Sequence, residues 1–370
     1  MNLLQSFRTV LKETTSRCPV CFQLVPAEVW KSTGVPEKVY LTRHCPDHGK
    51  STACLASDAR FYWLAKGSNA NRCGEGCACS ASTGEAAGSL GQNAYPSPED
   101  TMESLSTCLT LIEIVDSCNL SCPTCFAASP VGTGDQVQAH PLSELKLRIT
   151  AVLERKGKIE ILQLSGGEPT LHPEFFELID WIRREDRIDY LLVNTNGVRL
   201  ARDEKFLSEV GEPAREGNFQ LYLQFDELQE AGQKELRGAD LHDLKKTVMA
   251  GCDAERIPVT LATTVTPDNL GKLWSIIEFG LDHDCCRGVS FQPMFLNGRI
   301  PASTQPDEHL NKADIILSCV EASSGKLRFD DFTPLPCGNP NCATIGYLLR
   351  TPTGTHSISE FIDFSRVRGF

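Results

Sequence analysis

From residue 109 onward, short apolar runs alternate with segments whose apolar residues recur every three or four positions. The runs LTLIEIVD (109–116), IEILQLS (159–165), IDYLLVNTN (188–196), FQLYLQFD (219–226), IPVTLATTV (257–265) and GVSFQPMF (288–295) read as strands. Helical spacing falls between them, near 142–156, 173–185, 202–210, 233–250 and 269–281. Pro141 and Pro173 stand near two of the helix starts, where a missing N–H costs nothing. Six strands with intervening helices predict an α/β fold around a parallel sheet, either open or a partial barrel. In both, chemistry collects at the C-terminal ends of the strands.

The N-terminal pattern differs. Leu3, Leu4, Phe7, Val10 and Leu11 share one face at helical spacing, which predicts a helix over 2–12 packed on a neighbour. With Arg8 and Lys12 the same stripe also fits a helix resting on a membrane surface. A small cysteine-bearing module follows to about residue 67. The Gly-, Ser-, Ala- and Pro-rich stretch 80–100 reads as a linker or long loop. The expected divisions are 1–67, a cysteine loop and linker over 68–108, the α/β unit over 109–300, and a C-terminal extension over 301–370.

Composition narrows the function. A formal net charge of -12 in 370 residues argues against a polyanion-binding surface and hence against nucleic acid. No apolar run is long enough to span a bilayer, and the N-terminus shows no signal-peptide pattern. Seventeen cysteines are the outlying number. In a long chain without an export signal, clustered thiols point to metal in a reducing, cytoplasmic setting rather than to disulfides.

The densest group is CNLSCPTC, with Cys118, Cys122 and Cys125 directly after the first strand of the array. The C-x3-C-x2-C spacing keeps three thiolates on one loop, able to take three corners of a cubane and leave one iron without a protein ligand. The alternative is zinc with a distant fourth ligand. The second strand ends in SGGEP: Gly166 and Gly167 let backbone approach a ligand, and Glu168 offers a carboxylate to an ammonium group.

Together these residues resemble the radical S-adenosylmethionine (SAM) superfamily over about residues 108–300. The resemblance implies a partial (β/α)6 barrel with a [4Fe-4S] cluster on Cys118, Cys122 and Cys125, and SAM chelating the open iron. It also implies that Gly166, Gly167 and Glu168 hold the methionine amino group, and that reductive cleavage yields a 5'-deoxyadenosyl radical. Where many members carry an aromatic residue before the third cysteine, Thr124 stands here and Phe126 follows. Asn194, Asn196, Gln224, Asp226, Thr263, Thr264 and Gln292 lie at strand ends as candidate cofactor or substrate lining.

Further thiols suggest further metals. CPVC and CPDH give Cys18, Cys21, Cys45 and His48 at knuckle spacing, for zinc or for rubredoxin-like iron with Cys54 as a replacement ligand. Cys73, Cys77, Cys79 and Cys108 suit an auxiliary [4Fe-4S] cluster. Cys337 and Cys342 are candidates for a third site that Cys285, Cys286 or Cys319 would have to complete, while Cys252 reads as a lone buried thiol. The full order of these elements, with FQP and Gly298–Arg299 after the last strand, resembles the archaeal tetraether lipid synthase group, some relatives of which are hydroxymethylpterin methyltransferases. That resemblance implies first an enzyme forming C–C bonds between lipid alkyl chains. The alternatives are methyl transfer to a pterin-like or other small molecule, and a non-catalytic electron-transfer protein. A reductant protein such as ferredoxin or flavodoxin is the expected partner. Isolated histidines, among them His44, His140, His172 and His242, are read as caps or surface groups.

Overall fold

A computed structural model describes residues 8–62, 109–301, 309–335, 341, 343–352 and 354–362. It divides into two compact units, Met1–Asn71 with His309–Phe370, and Arg72–Glu308.

The first unit contains a four-stranded antiparallel sheet of β1 (Arg8–Arg17), β2 (Leu24–Ser32), β3 (Val39–Cys45) and β4 (Gly49–Ala56). Val29, Val39, Ala56 and Phe61 form its core with Ala313 and Ile316 of the helix Lys312–Ala322. Asn311 caps that helix and accepts the N–H of Ser57 at 3.3 Å. The helix expected over 2–12 is, in its described part, strand β1. Of the expected stripe Leu3, Leu4 and Phe7 lie outside the described residues; within the strand a bulge between Val10 and Lys12 breaks the two-residue alternation and leaves Val10 exposed and Leu11 half-buried. Among the described residues no helix is long and apolar enough to cross a membrane.

The second unit is built on six parallel strands: β5 (Thr110–Val115), β6 (Ile159–Gly166), β7 (Ile188–Thr195), β8 (Phe219–Gln224), β9 (Val259–Val265) and β10 (Cys286–Pro293). They pair in sequence order. All six lie where the apolar runs predict. The helices are α1 (Leu142–Lys156), α2 (Phe175–Arg183), α3 (Val198–Arg202), α4 (Glu204–Glu216), α5 (Glu230–Arg237), α6 (His242–Glu255) and α7 (Leu273–Leu281). Their apolar stripes, such as Leu145, Ile149 and Leu153 of α1, are fully buried, as are Leu164, Val193, Leu221 and Leu261 of the strands. The segment expected as one helix over 233–250 is two, because Gly238 ends α5 in the left-handed conformation (φ 72°).

One long-range pairing shapes the sheet. The chain after edge strand β5 and the chain after edge strand β10 meet in an antiparallel bridge, Cys125 with Arg299. Two opposite edges can meet only if the sheet curls, so the array is a partial (β/α)6 barrel. The bridge lies at the C-terminal end of the strands, which is where the cysteine loop emerges.

Candidate functional site

Cys118 and Cys122 are each 8% exposed, and Cys125 is half-buried. Donors converge on their sulfurs. The Leu120 N–H lies 3.4 Å and the Asn196 amide nitrogen 3.7 Å from Cys118 Sγ, and the Arg237 guanidinium hydrogen-bonds the Cys122 sulfur. Burial pushes the Cys118 thiol up to about 12, and it raises Cys122 against the pull of Arg237. Such a loop disfavours bare thiolates but supplies N–H donors to sulfurs whose charge a metal has already neutralised. The donor set therefore fits an iron–sulfur cluster.

The loop is braced from two sides. Arg299 exchanges both backbone bonds with Cys125 (3.0 and 2.8 Å), and its guanidinium donates to the carbonyls of Cys122 (2.7 Å) and Ser129 (2.8 Å). Gly298, at φ 70°, makes this approach: a Cβ there would lie 2.3 Å from the Cys125 carbonyl oxygen and 2.2 Å from that of Phe126. On the other side Thr124 donates to the Leu236 carbonyl at 2.9 Å. Arg237, 8% exposed, forks onto both oxygens of the fully buried Asp226 at 2.6 and 2.7 Å. The Thr264 N–H supplies a further bond to Asp226 at 3.0 Å. Burial would raise the Asp226 carboxyl, but Arg237 outweighs it and holds the group below its ordinary range.

The SGGEP turn packs against the residues just before Cys118. Gly167 N–H donates to Val115 O (2.6 Å) and Glu168 N–H to Ser117 O (3.1 Å). A Cβ on Gly166 or Gly167 would come within 2.1 Å of those same carbonyl oxygens. Glu168 is 1% exposed and its carboxylate accepts from Thr170 N (3.2 Å), Thr170 Oγ1 (2.6 Å), Thr195 Oγ1 (2.8 Å) and Asn196 N (2.7 Å). Burial nonetheless raises its pKa. Asn196, whose amide also donates to Asn119 Oδ1 at 2.7 Å, thus ties the end of β7 to the cysteine loop. Asn194 is engaged by Gln163 (2.5 Å) and Ser165 (2.9 Å). Gln224 is half-buried at the end of β8, and exposed Gln292 donates to Tyr222 Oη at 3.0 Å.

Behind the site, the fully buried Lys245 donates to Asn196 O (2.5 Å) and to Gln224 O, joining the ends of β7 and β8. Burial lowers its pKa to about 8. Arg237 and Lys245 escape motif reading because each stands on a helix among ordinary surface charges. The positive φ of Asp226 (65°) and its place past a strand end are the only local hints.

In the first unit, Cys18, Cys21, Cys45 and His48 bring their ligand atoms within 4.8 Å of one another. Cys21 and Cys45 sulfurs are 3.8 Å apart, and His48 Nδ1 lies 3.4 Å from Cys45 Sγ and 3.8 Å from Cys18 Sγ. Metal bonds of about 2.3 Å to sulfur and 2.0 Å to nitrogen at tetrahedral angles give such spacings. Cys54 is exposed and stands outside the set. Among the described residues this is the one group drawn in so closely. Cys252 is a buried helix thiol, as expected. Cys73, Cys77, Cys79, Cys108, Cys337 and Cys342, and with them both further clusters, lie outside the described residues.

A parallel six-stranded sheet with a three-cysteine loop after its first strand is the layout of a radical SAM domain, and residues 112–280 match the model of the radical SAM superfamily. The chain carries a domain of that superfamily. Residues 10–57 match the HMPTM N-terminal zinc ribbon domain. Among characterised relatives, the 7,8-dihydro-6-hydroxymethylpterin dimethyltransferase of Methanocaldococcus jannaschii is 26% identical over 340 residues, covering 89% of this chain and 62% of that protein. The PqqA peptide cyclase of Gluconobacter oxydans is 31% identical over 166 residues, 44% of this chain and 43% of its own length. The chain thus spans less than two-thirds of these relatives. Among solved structures, Streptococcus suis SuiB bound to S-adenosylmethionine aligns with TM-score 0.48 and 14% identity, over 61% of this chain and 49% of that one.

Proposed function

We propose that this protein is a radical SAM enzyme that removes hydrogen from a C–H bond of a small molecule and puts in its place a methyl group from a second SAM, which leaves as S-adenosylhomocysteine, with two electrons drawn from the reductant. The observation that carries the reading is the buried loop of Cys118, Cys122 and Cys125, supplied with N–H donors and backed by the SGGEP turn. When bound, a reduced [4Fe-4S] cluster on these cysteines supplies the electron that splits SAM into methionine and a 5'-deoxyadenosyl radical. Arg299, Arg237 and Asp226 hold the loop in shape. Asn196 links Cys118 to Glu168, whose four-donor carboxylate fixes the turn that Gly166 and Gly167 present to the methionine end of SAM. Gln224 and Gln292 line the ribose and substrate side, while Asn194 and Asp226 act through their hydrogen-bonded neighbours.

Methyl transfer is preferred to the joining of lipid alkyl chains because the pterin dimethyltransferase is similar over 89% of this chain. We assign zinc to the knuckle of Cys18, Cys21, Cys45 and His48, on its three-sulfur, one-nitrogen set. A ferredoxin or flavodoxin in a reducing compartment is the proposed electron source.

The test is anaerobic reconstitution followed by reduction with dithionite in the presence of SAM. We expect release of 5'-deoxyadenosine, with S-adenosylhomocysteine formed alongside it once a methyl acceptor is present. Cys122→Ala should abolish the release. Normal cleavage by that variant would refute the cluster assignment, and deoxyadenosine without any S-adenosylhomocysteine would refute methyl transfer.

A further inference from the structure

Glu168, Asp226, Arg237 and Lys245 are charged side chains buried beside the cysteine loop. They come from the turn after β6, the end of β8, α5 and α6. Burying a charge is costly unless another charge meets it. Arg237 and Asp226 cancel at contact, because the guanidinium forks onto both carboxylate oxygens. Glu227, a further buried carboxylate, is paired with Lys272. Glu168 and Lys245 have no charged partner at contact among the described residues. The Glu168 carboxylate meets hydroxyls and backbone N–H groups, and the Lys245 ammonium donates to two neutral carbonyls, Asn196 O (2.5 Å) and Gln224 O. Asn196 stands between the two charges. Its N–H faces Glu168, its carbonyl faces Lys245, and its side-chain amide reaches Cys118 Sγ at 3.7 Å. One residue and two contacts thus separate the ammonium from that sulfur, which puts it within roughly 10 Å.

We infer that the Lys245 ammonium stabilises the electron accepted at the site of Cys118, Cys122 and Cys125, and so sets the potential at which that site is reduced. The inference rests on the cluster reading of those cysteines and adds a residue that touches none of them. A buried unit charge is little screened by salt. At roughly 10 Å, with an effective dielectric of about 20, it shifts the equilibrium for adding one electron by about tenfold. Arg237 contributes less, since the Asp226 charge beside it acts in the opposite sense. Glu168 also opposes Lys245, so removing the lysine charge leaves an uncompensated negative field beside the loop. Burial lowers Lys245 to about 8, and at pH 7 the amine still carries its proton. No proton moves in the step: one electron passes from the reductant to the cysteine-bound iron, and Lys245 keeps its charge.

The potential can be measured without turnover. The full chain is reconstituted anaerobically without SAM and titrated at pH 7 with dithionite and redox mediators, the reduced cluster being read by electron paramagnetic resonance. Lys245→Met should make reduction about tenfold less favourable, a fall of about 59 mV in midpoint for one electron. Lys245→Arg keeps the charge and should stay near the native value. Iron per chain and a thermal melt of each variant check loading and folding. Should Lys245→Met hold no iron, Lys245→Gln, which still donates to a carbonyl, takes its place. A native midpoint in the uncharged variant overturns the inference, as does an equal fall in Lys245→Arg. Failure of both uncharged variants to hold iron also overturns it, because the lysine then only builds the site. Absence of any reducible cluster in the unaltered chain fails the cluster reading instead, so the two failures are told apart.

Discussion

Replacing Gly298 by alanine isolates the brace that closes the cysteine loop. The added methyl would sit 2.2–2.3 Å from two backbone carbonyl oxygens, far inside contact distance, and neither is the end of a flexible side chain. The φ of 70° adds strain of about 1–2 kcal/mol for any L-residue. Relief requires the segment to move away from Cys125, which breaks the two backbone bonds to Cys125 and pulls Arg299 off Cys122 and Ser129. Four bonds at about 1 kcal/mol each put the cost near ~4 kcal/mol beyond the strain. Gly157→Ala is the matched control: φ is 78° in the same unit, but nothing lies within 4 Å of its Cβ. The assay is iron and sulfide per chain after anaerobic reconstitution, beside urea unfolding of both variants. Gly298→Ala should lose most of its cluster and several kcal/mol, and Gly157→Ala only about 1–2 kcal/mol with a full cluster. Equal iron content and equal stability in the two would refute the idea that this contact shapes the loop.

Two other perturbations follow from the same geometry. Arg237→Met leaves the Asp226 carboxylate buried and unpaired, so unfolding should show a loss of about 3–5 kcal/mol; adding Asp226→Asn should restore part of it, and a simple sum of two losses would contradict the pairing. His48→Ala removes one of four knuckle ligands, and zinc should then fall well below one per chain after dialysis against EDTA. Full retention of zinc would place the ion elsewhere.

The six strands and the cysteine loop were legible because their signals are local: β-rich apolar runs, and three thiols within eight residues. The N-terminal strand was not: of the apolar stripe only Val10 and Leu11 fall in the described residues, and the bulge there interrupts the alternation that marks a strand. Gly238 carried the information that 233–250 is two helices, with Asp240 ready to accept the His242 N–H at 3.1 Å, but a continuous charged pattern masked it. At the site, Glu168 was recognised by type while its occupation by four internal donors depended on Thr170 of its own turn and on Thr195 and Asn196, brought in from the end of β7. Arg237, Lys245 and Arg299 act across more than a hundred, about fifty and more than 170 residues of chain, distances no spacing rule covers.

The pairing of Cys125 with Arg299 has a bearing on order of assembly. Residues 125 and 299 sit at opposite ends of the α/β array, so the third thiol reaches its working position only after all six strands are in register. On the proposed cluster assignment, loading would be coupled to completion of the barrel, because a truncated chain has the sulfurs yet lacks the Arg299 segment that pairs with Cys125.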